Sequence, residues 1–128
     1  MLDDLLGTTT SQCIHFRVKE PNPRPLIAMG MKIFTLDSSG VRNKKSFLSQ
    51  IGIAMEFPEY FGNNWDALEE CLRDLTWAPA SGYVLIIRNA QQLWQHHTEL
   101  AGKLVESWLF AAAEWSKVNT PFHLLFLL

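Results

Sequence analysis

The apolar and polar positions beyond residue 30 show the pattern of a strand in three short segments. Residues 31–36, 83–87 and 122–128 are runs of apolar, β-branched and aromatic side chains, and turn-forming residues stand next to them. The second and third runs contain almost no polar residue, which is typical of strands that are covered on both faces. The chain therefore predicts three strands in the interior of a domain.

Between these strands the apolar residues recur every three or four positions, which predicts helices. One covers residues 45–55, and a second covers 65–75, where the side chain of Asn64 can accept a backbone N–H of the first turn. Residues 91–118 form a long helical segment with a break expected near its start, at Thr98 or Gly102. Strands that are joined through helices run parallel. The sequence thus predicts an α/β fold, a small three-stranded parallel sheet packed by helices.

Residues 1–30 do not continue this order of strands and helices. Residues 13–18 contain β-branched and aromatic side chains and are a candidate for one extra strand. Prolines follow at positions 21, 23 and 25, so residues 20–25 are interpreted as a linker without regular structure. We therefore divide the chain into an N-terminal extension, residues 1–30, and a domain, residues 31–128.

Composition narrows the class of protein. The length of 128 residues corresponds to about one domain, and 48% hydrophobic with 19% charged residues excludes a disordered chain. A net charge of −2 argues against a general nucleic-acid binder, and no apolar run reaches the roughly 18 residues of a membrane span. The acidic N-terminus and two cysteines without metal-ligand spacing lead us to expect a cytoplasmic protein with neither disulfide nor metal.

The charge is concentrated in one segment of the chain. Residues 55–75 contain six acids and one base, a net charge of −5. At about 100° per residue, a helical wheel brings three of these acids to one face at successive turns. They are Asp66, Glu70 and Asp74, called here the acidic column. The opposite face of this helix is apolar and includes Cys71, so that face is expected to enter the core.

The acidic column carries an energetic cost and has several explanations. Like charges four residues apart destabilise a helix by a few tenths of a kcal/mol. A solvated face is the ordinary explanation of such a stripe. As a functional site, the column is a candidate for holding a divalent metal, for acid–base catalysis, or for imitating the phosphates of a nucleic acid. Because a straight row of carboxylates does not converge on one point, we favour the third use and a cationic partner.

Residues 57–72 have the sequence FPEYFGNNWDALEECL, which resembles the signature of the barstar family, intracellular inhibitors of secreted bacterial ribonucleases. The pattern is long and ungapped, and the predicted strands and first helix also resemble those of the family over residues 31–128. The resemblance implies a small parallel sheet with helices. It also implies that the second helix and the loop before it block the active site of a ribonuclease. Within that loop, Gly62 is expected to supply a positive φ before the Asn64 cap.

The resemblance places particular residues on the contact surface. By their position in the motif these are Tyr60, Asn64, Asp66 and Glu70. Glu70 is implied to enter the site where a substrate phosphate sits, with Asp66 paired to basic residues alongside. Tyr60 is implied to pack against the partner from the loop. The chain's own pattern adds Asp74, the third acid of the column, and Trp77, in the loop after the helix.

The sequence also departs from the family in three places. The acid that corresponds to Glu70 is an aspartate in the family's namesake, one methylene shorter. The residue before it is aromatic there and is Glu69 here. A glutamate on the family's last helix has no certain counterpart, and the nearest positions are Ala112, Ala113 and Glu114. These departures bear on which ribonuclease is bound, while the class of function is unaffected.

The sequence therefore leads us to expect an inhibitor of a basic, extracellular-type bacterial ribonuclease of the guanyl-specific, barnase-like kind. Such an inhibitor is no enzyme, so we expect neither catalytic residues nor a cofactor. It is expected to be a monomer when free and to bind neither nucleic acid nor membrane. Two alternatives stay open. One is a module of the same fold that binds another basic protein, and the other is a metal-dependent hydrolase that uses Asp66 and Glu70.

Overall fold

The computed structural model describes residues 5–59 and 61–128. Its strands and helices follow in the order β1 (Ile14–Arg17), α1 (Arg24–Ala28), β2 (Met31–Asp37), α2 (Lys44–Ala54), α3 (Trp65–Asp74), β3 (Gly82–Arg88), α4 (Ala90–His96), α5 (Thr98–Lys117) and β4 (Phe122–Leu127). Short 3-10 helices cover Thr10–Gln12 and Ser38–Gly40. The strands and helices predicted beyond residue 30 are confirmed, with bounds shifted by about one residue.

Four parallel strands form the sheet, in the order β1-β4-β3-β2. The prediction of a three-stranded sheet is therefore wrong by one strand. The additional strand, β1, comes from the N-terminal extension and pairs with β4, so that Ile14 lies opposite Leu124. A strand of four residues carries too short a pattern to reveal so distant a partner.

Side chains of the strands alternate between two faces of the sheet, and both faces are covered. On the first face, Leu85 and Leu124 belong to the larger apolar cluster, to which α2, α3 and α5 contribute. On the second face, Val84, Ile86 and Leu125 belong to a smaller cluster. Burial on both sides explains why β3 and β4 are almost continuously apolar.

The N-terminal extension covers the second face of the sheet. Leu5 and Leu26 are buried there in the smaller cluster. His123 Nε2 lies 2.8 Å from the carbonyl oxygen of Gly7, and His15 Nε2 lies 2.9 Å from His123 Nδ1. Because a carbonyl only accepts, His123 donates from Nε2 to Gly7, and in its neutral form it accepts from His15 at Nδ1. The described part of the extension thus packs on the sheet, while a domain boundary at residue 30 stays a prediction.

The start of α1 and the break between α4 and α5 differ from the positions predicted from the sequence. Helix α1 begins at Arg24, so the interpretation of residues 20–25 as a linker is wrong at its end. Pro25 stands in the first turn of α1, where its missing N–H costs no helical hydrogen bond. The break in the long helical segment falls at His97, next to Thr98, whereas Gly102, the other expected position, lies inside α5. None of the helices in the described part of the chain has both the length and the apolar character to span a membrane.

Candidate functional site

Helix α3 is fixed at both ends by local interactions. The Asn64 side chain accepts a hydrogen bond from the backbone N–H of Ala67, at 2.8 Å, which confirms the predicted cap. The positive φ of the preceding turn, 52°, belongs to Asn63, so its prediction for Gly62 is wrong. Asparagine tolerates this left-handed region better than most residues. Leu75 stops the helix in the same region, with a φ of 51°.

The two predicted faces of α3 are confirmed. Its apolar face is buried in the core and consists of Leu68, Cys71, Leu72 and the following Leu75. The three carboxylates of the acidic column are all exposed on the opposite side. Within residues 5–59 and 61–128, no base lies at ion-pair distance from any of them. The column is therefore a row of accessible, uncompensated negative charges on a rigid helix.

Glu69 and Glu70 are neighbours in sequence but face different surroundings. Glu69 is half-buried, and Ser107 on α5 donates a long hydrogen bond of 3.4 Å to its Oε1. Beside it, the Trp115 indole N–H donates to the Leu72 carbonyl at 2.7 Å and ties α5 to α3. Glu70 is exposed and makes no such contact. Packing of α5 thus separates the two glutamates, drawing Glu69 into the seam and leaving Glu70 to solvent.

Arg73 is the single base of the acidic segment, and it is directed away from the column. Its Nε donates to the Glu69 carbonyl at 3.2 Å, and its guanidinium carbon lies 5.4 Å from the centre of the Phe110 ring on α5. Its charge also contributes to a lowered pKa of Glu114, although the Lys117 hydrogen bond is the larger cause. The Arg73 guanidinium therefore lies between α3 and α5, and it does not pair with the carboxylates of the acidic column.

The predicted contact residues around α3 occupy different environments. Trp77 is half-buried, since its indole N–H donates to the Met55 carbonyl at 3.2 Å and its ring packs edge-on against Phe57. Asn64 is exposed, with its side-chain oxygen engaged as the helix cap. Tyr60 lies outside the described residues. A role of these residues in binding a partner stays a prediction.

The structure decides which α5 residues can reach a partner beside α3. Ala112 is buried and is excluded, whereas Ala113 and Glu114 are exposed. Glu114 pairs with Lys117 one turn later on the same helix. Sequence reasoning missed Phe110, an exposed aromatic side chain that lies against Arg73. Its only signal in the sequence is that it stands outside the apolar stripe that α5 directs into the core.

The geometry of the acidic column suits recognition of a cationic surface. The three carboxylates stand in a line and do not converge, and none of them lines the groove of about 280 Å³ between α2 and the loop before α3. Within the described residues, no three His, Cys, Asp or Glu side chains are grouped so as to hold a metal ion. The arrangement does not favour a hydrolase that uses Asp66 and Glu70. Carboxylates spaced along a helix are instead suited to pairing with arginine and lysine side chains.

Both cysteines are free and buried, on the same side of the sheet. Burial raises the pKa of the Cys71 thiol to about 11, and the charges of Asp74 and Glu70 contribute in the same direction. Burial likewise raises the pKa of the Cys13 thiol to about 11. Each thiol is therefore neutral at physiological pH and shielded from solvent.

Native-state thiol labelling should be slow at both positions. At pH 8 the protein should react with a small aromatic disulfide reagent far more slowly than its urea-unfolded form, because thiolate is the reactive species. In the unfolded protein the two thiols have their ordinary pKa near 9, so the unfolded state loses these protons at a lower pH than the folded state. The free energy of unfolding should therefore decline as the pH rises above about 9. Prompt labelling of Cys71 in the native protein would show that the apolar face of α3 has been misplaced, and with it the acidic column.

The fold and this surface together define a class, a small parallel α/β protein with an exposed acidic helix. The family model described as Barstar (barnase inhibitor) matches residues 31–127, and the chain therefore belongs to the barstar family. No curated protein matches the sequence. The matched range includes β2 to β4 and α2 to α5, whereas β1 and α1 lie outside it. The protein is thus barnase-inhibitor-like, with an added strand and helix at its N-terminal side.

Proposed function

We propose that this protein inhibits a basic, extracellular-type bacterial ribonuclease of the guanyl-specific, barnase-like kind by placing α3 over its active site. The observation that carries the proposal is the exposed acidic column, for which the described part of the chain supplies no compensating base. Carboxylates four residues apart on a helix repeat at about 6 Å, a spacing comparable to that of successive phosphates in RNA. A site built from arginine and lysine to hold phosphates would therefore accept the column in place of substrate.

Each residue of the surface has a proposed role. Glu70, in the middle of the column, occupies the position of the substrate phosphate, and Asp66 pairs with cations alongside. Asp74 extends the negative charge by one turn, and Trp77 contacts the partner from the following loop. Asn64 holds the start of α3 in place through its cap, and Tyr60 packs against the ribonuclease from the preceding loop.

Inhibition of this kind needs no chemistry from the protein. A carboxylate row offers no phosphodiester bond to cleave, so the ribonuclease is occupied without turnover. We further propose that the protein is cytoplasmic, is a monomer when free and has no cofactor. It blocks the ribonuclease before that enzyme is exported. A module of the same fold that binds another basic protein would use the same column, and the test below separates the two.

The direct test is inhibition of RNA cleavage by a panel of guanyl-specific bacterial ribonucleases that includes barnase. Wild-type protein should abolish cleavage by at least one member at a one-to-one ratio. If none is inhibited although the protein binds other basic proteins, the function belongs to the alternative module.

Association with the inhibited ribonuclease should be fast and sensitive to salt. A negative surface that meets a positive site raises association rates by about 10- to 1,000-fold, and salt removes the gain as the screening length falls from about 10 Å at 0.1 M to about 3 Å at 1 M. Stopped-flow measurements should therefore show a steep decline of the on-rate with ionic strength. Glu70→Gln should flatten that decline, while Glu20→Gln, which removes the same charge in the extension, should leave it unchanged. A salt-independent on-rate would exclude the column as the docking surface.

A further inference from the structure

Phe110 on α5 is an exposed aromatic side chain beside Arg73 of α3. It keeps 56% of its surface accessible. Arg73 of α3 contacts the Phe110 ring, and its guanidinium carbon lies 5.4 Å from the ring centre. Arg73 is held in turn by the Glu69 carbonyl. The ring is thus supported from α3 and open to solvent on its remaining surface.

The exposed strip of α3 is too small to form a stable interface by itself. The helix has ten residues and is therefore about 15 Å long. A specific protein–protein interface buries about 800 Å² on each partner. A ribonuclease seated on the acidic column must therefore also cover the elements beside α3. On the α5 side of the column, Phe110 is the large exposed side chain that contacts α3 across the seam.

The charges around Phe110 determine the chemistry of the group that would cover it. Arg73 already occupies one side of the ring as a cation, so a second arginine or lysine from the partner would meet like-charge repulsion there. The two acids on α5 that stand four residues before and after Phe110, Glu106 and Glu114, are paired with Lys103 and Lys117. An apolar group, in contrast, would remove ring surface from water without opposing a charge.

We infer that Phe110 on α5 belongs to the docking surface and receives an uncharged, apolar side chain of the ribonuclease. This inference rests on the proposed function. The surface is then divided into two parts: the acidic column receives the cations of the phosphate site, and the Phe110–Arg73 pair receives an apolar rim beside it. Because the phosphate site is common to such enzymes, the apolar rim contributes, together with the reach of Glu70, to which of them the protein distinguishes.

The test uses the member of the ribonuclease panel that the wild-type protein inhibits most strongly. Phe110→Ala should raise the dissociation constant about tenfold, as expected for uncovering half of a phenylalanine side chain. Phe110→Leu should stay within about threefold of wild type. The loss for Phe110→Ala should be the same at low and high ionic strength, since an apolar contact is not screened. Ile27→Ala is the matched control, because Ile27 is equally exposed, at 56%, on α1.

Phe110→Glu separates an apolar partner group from a cationic one. The inference predicts weaker binding by Phe110→Glu, whereas tighter binding would show that the ribonuclease places a cation there and would overturn it. Unchanged binding by Phe110→Ala, with inhibition still lost in Glu70→Ala, would overturn the role of α5 and leave the proposed function intact. If the wild-type protein inhibits no ribonuclease, both fall together. Unchanged thermal unfolding of the Phe110 variants excludes misfolding as the cause of a loss.

Discussion

Glu70→Ala should weaken ribonuclease binding by about 2–5 kcal/mol, whereas Glu69→Ala should cost only about 0–1 kcal/mol. The higher range is that of removing one member of a desolvated charge pair, and it derives partly from the barnase–barstar pair, a relative of the complex proposed here. Glu70 is exposed in the middle of the column, while Glu69 is half-buried against Ser107. The two variants remove the same side chain from adjacent positions, so each is the control for the other.

Dissociation constants from calorimetry or from inhibition curves would measure this difference. Glu70→Asp is the sharper variant, because it keeps the charge and shortens the side chain by one methylene. It should change the order of preference among the ribonucleases of the panel without abolishing inhibition. Equal losses for Glu69→Ala and Glu70→Ala, or no loss for either, would place the inhibitory contact elsewhere on the protein.

Deletion of residues 1–30 should leave a protein that is largely unfolded or self-associated. The deletion removes two buried leucines, Leu5 and Leu26, each worth about 1.5–3 kcal/mol of burial, and the strand β1. It also exposes Val84, Ile86 and Leu125 on the second face of the sheet. A loss of about 5 kcal/mol or more is comparable to the whole stability of a typical domain, roughly 5–15 kcal/mol. Circular dichroism and size-exclusion chromatography of the deletion variant would measure the outcome.

A pair of point variants makes the same test without removing a segment. Leu26 is 2% exposed and Ile27 is 56% exposed, although they are neighbours on α1. Leu26→Ala should lower the free energy of unfolding in urea by about 2–5 kcal/mol. Ile27→Ala should change it by no more than about 0.5 kcal/mol. Equal effects, or a deletion variant as stable as the full chain, would show that the extension does not stabilise the sheet.

The parts of the fold that depend on local pattern could be predicted from the sequence. The opposed faces of α3 follow from spacing within one helix, so the burial of Leu68 and Leu72 and the exposure of Glu70 were accessible to a helical wheel. The fourth strand was only a candidate, because its pairing joins Ile14 to Leu124 and no local signal specifies that contact. The positive φ belongs to Asn63 and not to Gly62. The path of the loop into α3 determines this, and the residue types alone do not reveal that path.

The candidate site was predictable along α3 but not across it. A sequence motif defines the order of residues on one helix, whereas the neighbours of that helix depend on how α5 packs. The contact of Ser107 with Glu69 and the position of Phe110 against Arg73 are consequences of this packing. For the same reason Ala112, close in sequence to a possible contact position, proves to be buried.

The pairing of the first strand with the last has a consequence for how the protein folds while it is synthesised. His15 on β1 and His123 on β4 are hydrogen-bonded although 108 positions separate them. At about 5–20 residues per second, a ribosome adds the second about 5–20 s after the first. During that interval the nascent β1 has no strand to pair with. Until α5 has been synthesised, α3 also lacks the neighbouring surface that separates Glu69 from Glu70. Closure of so long a loop is slow, so β1 joins the sheet only after the other strands and helices of the fold have been synthesised.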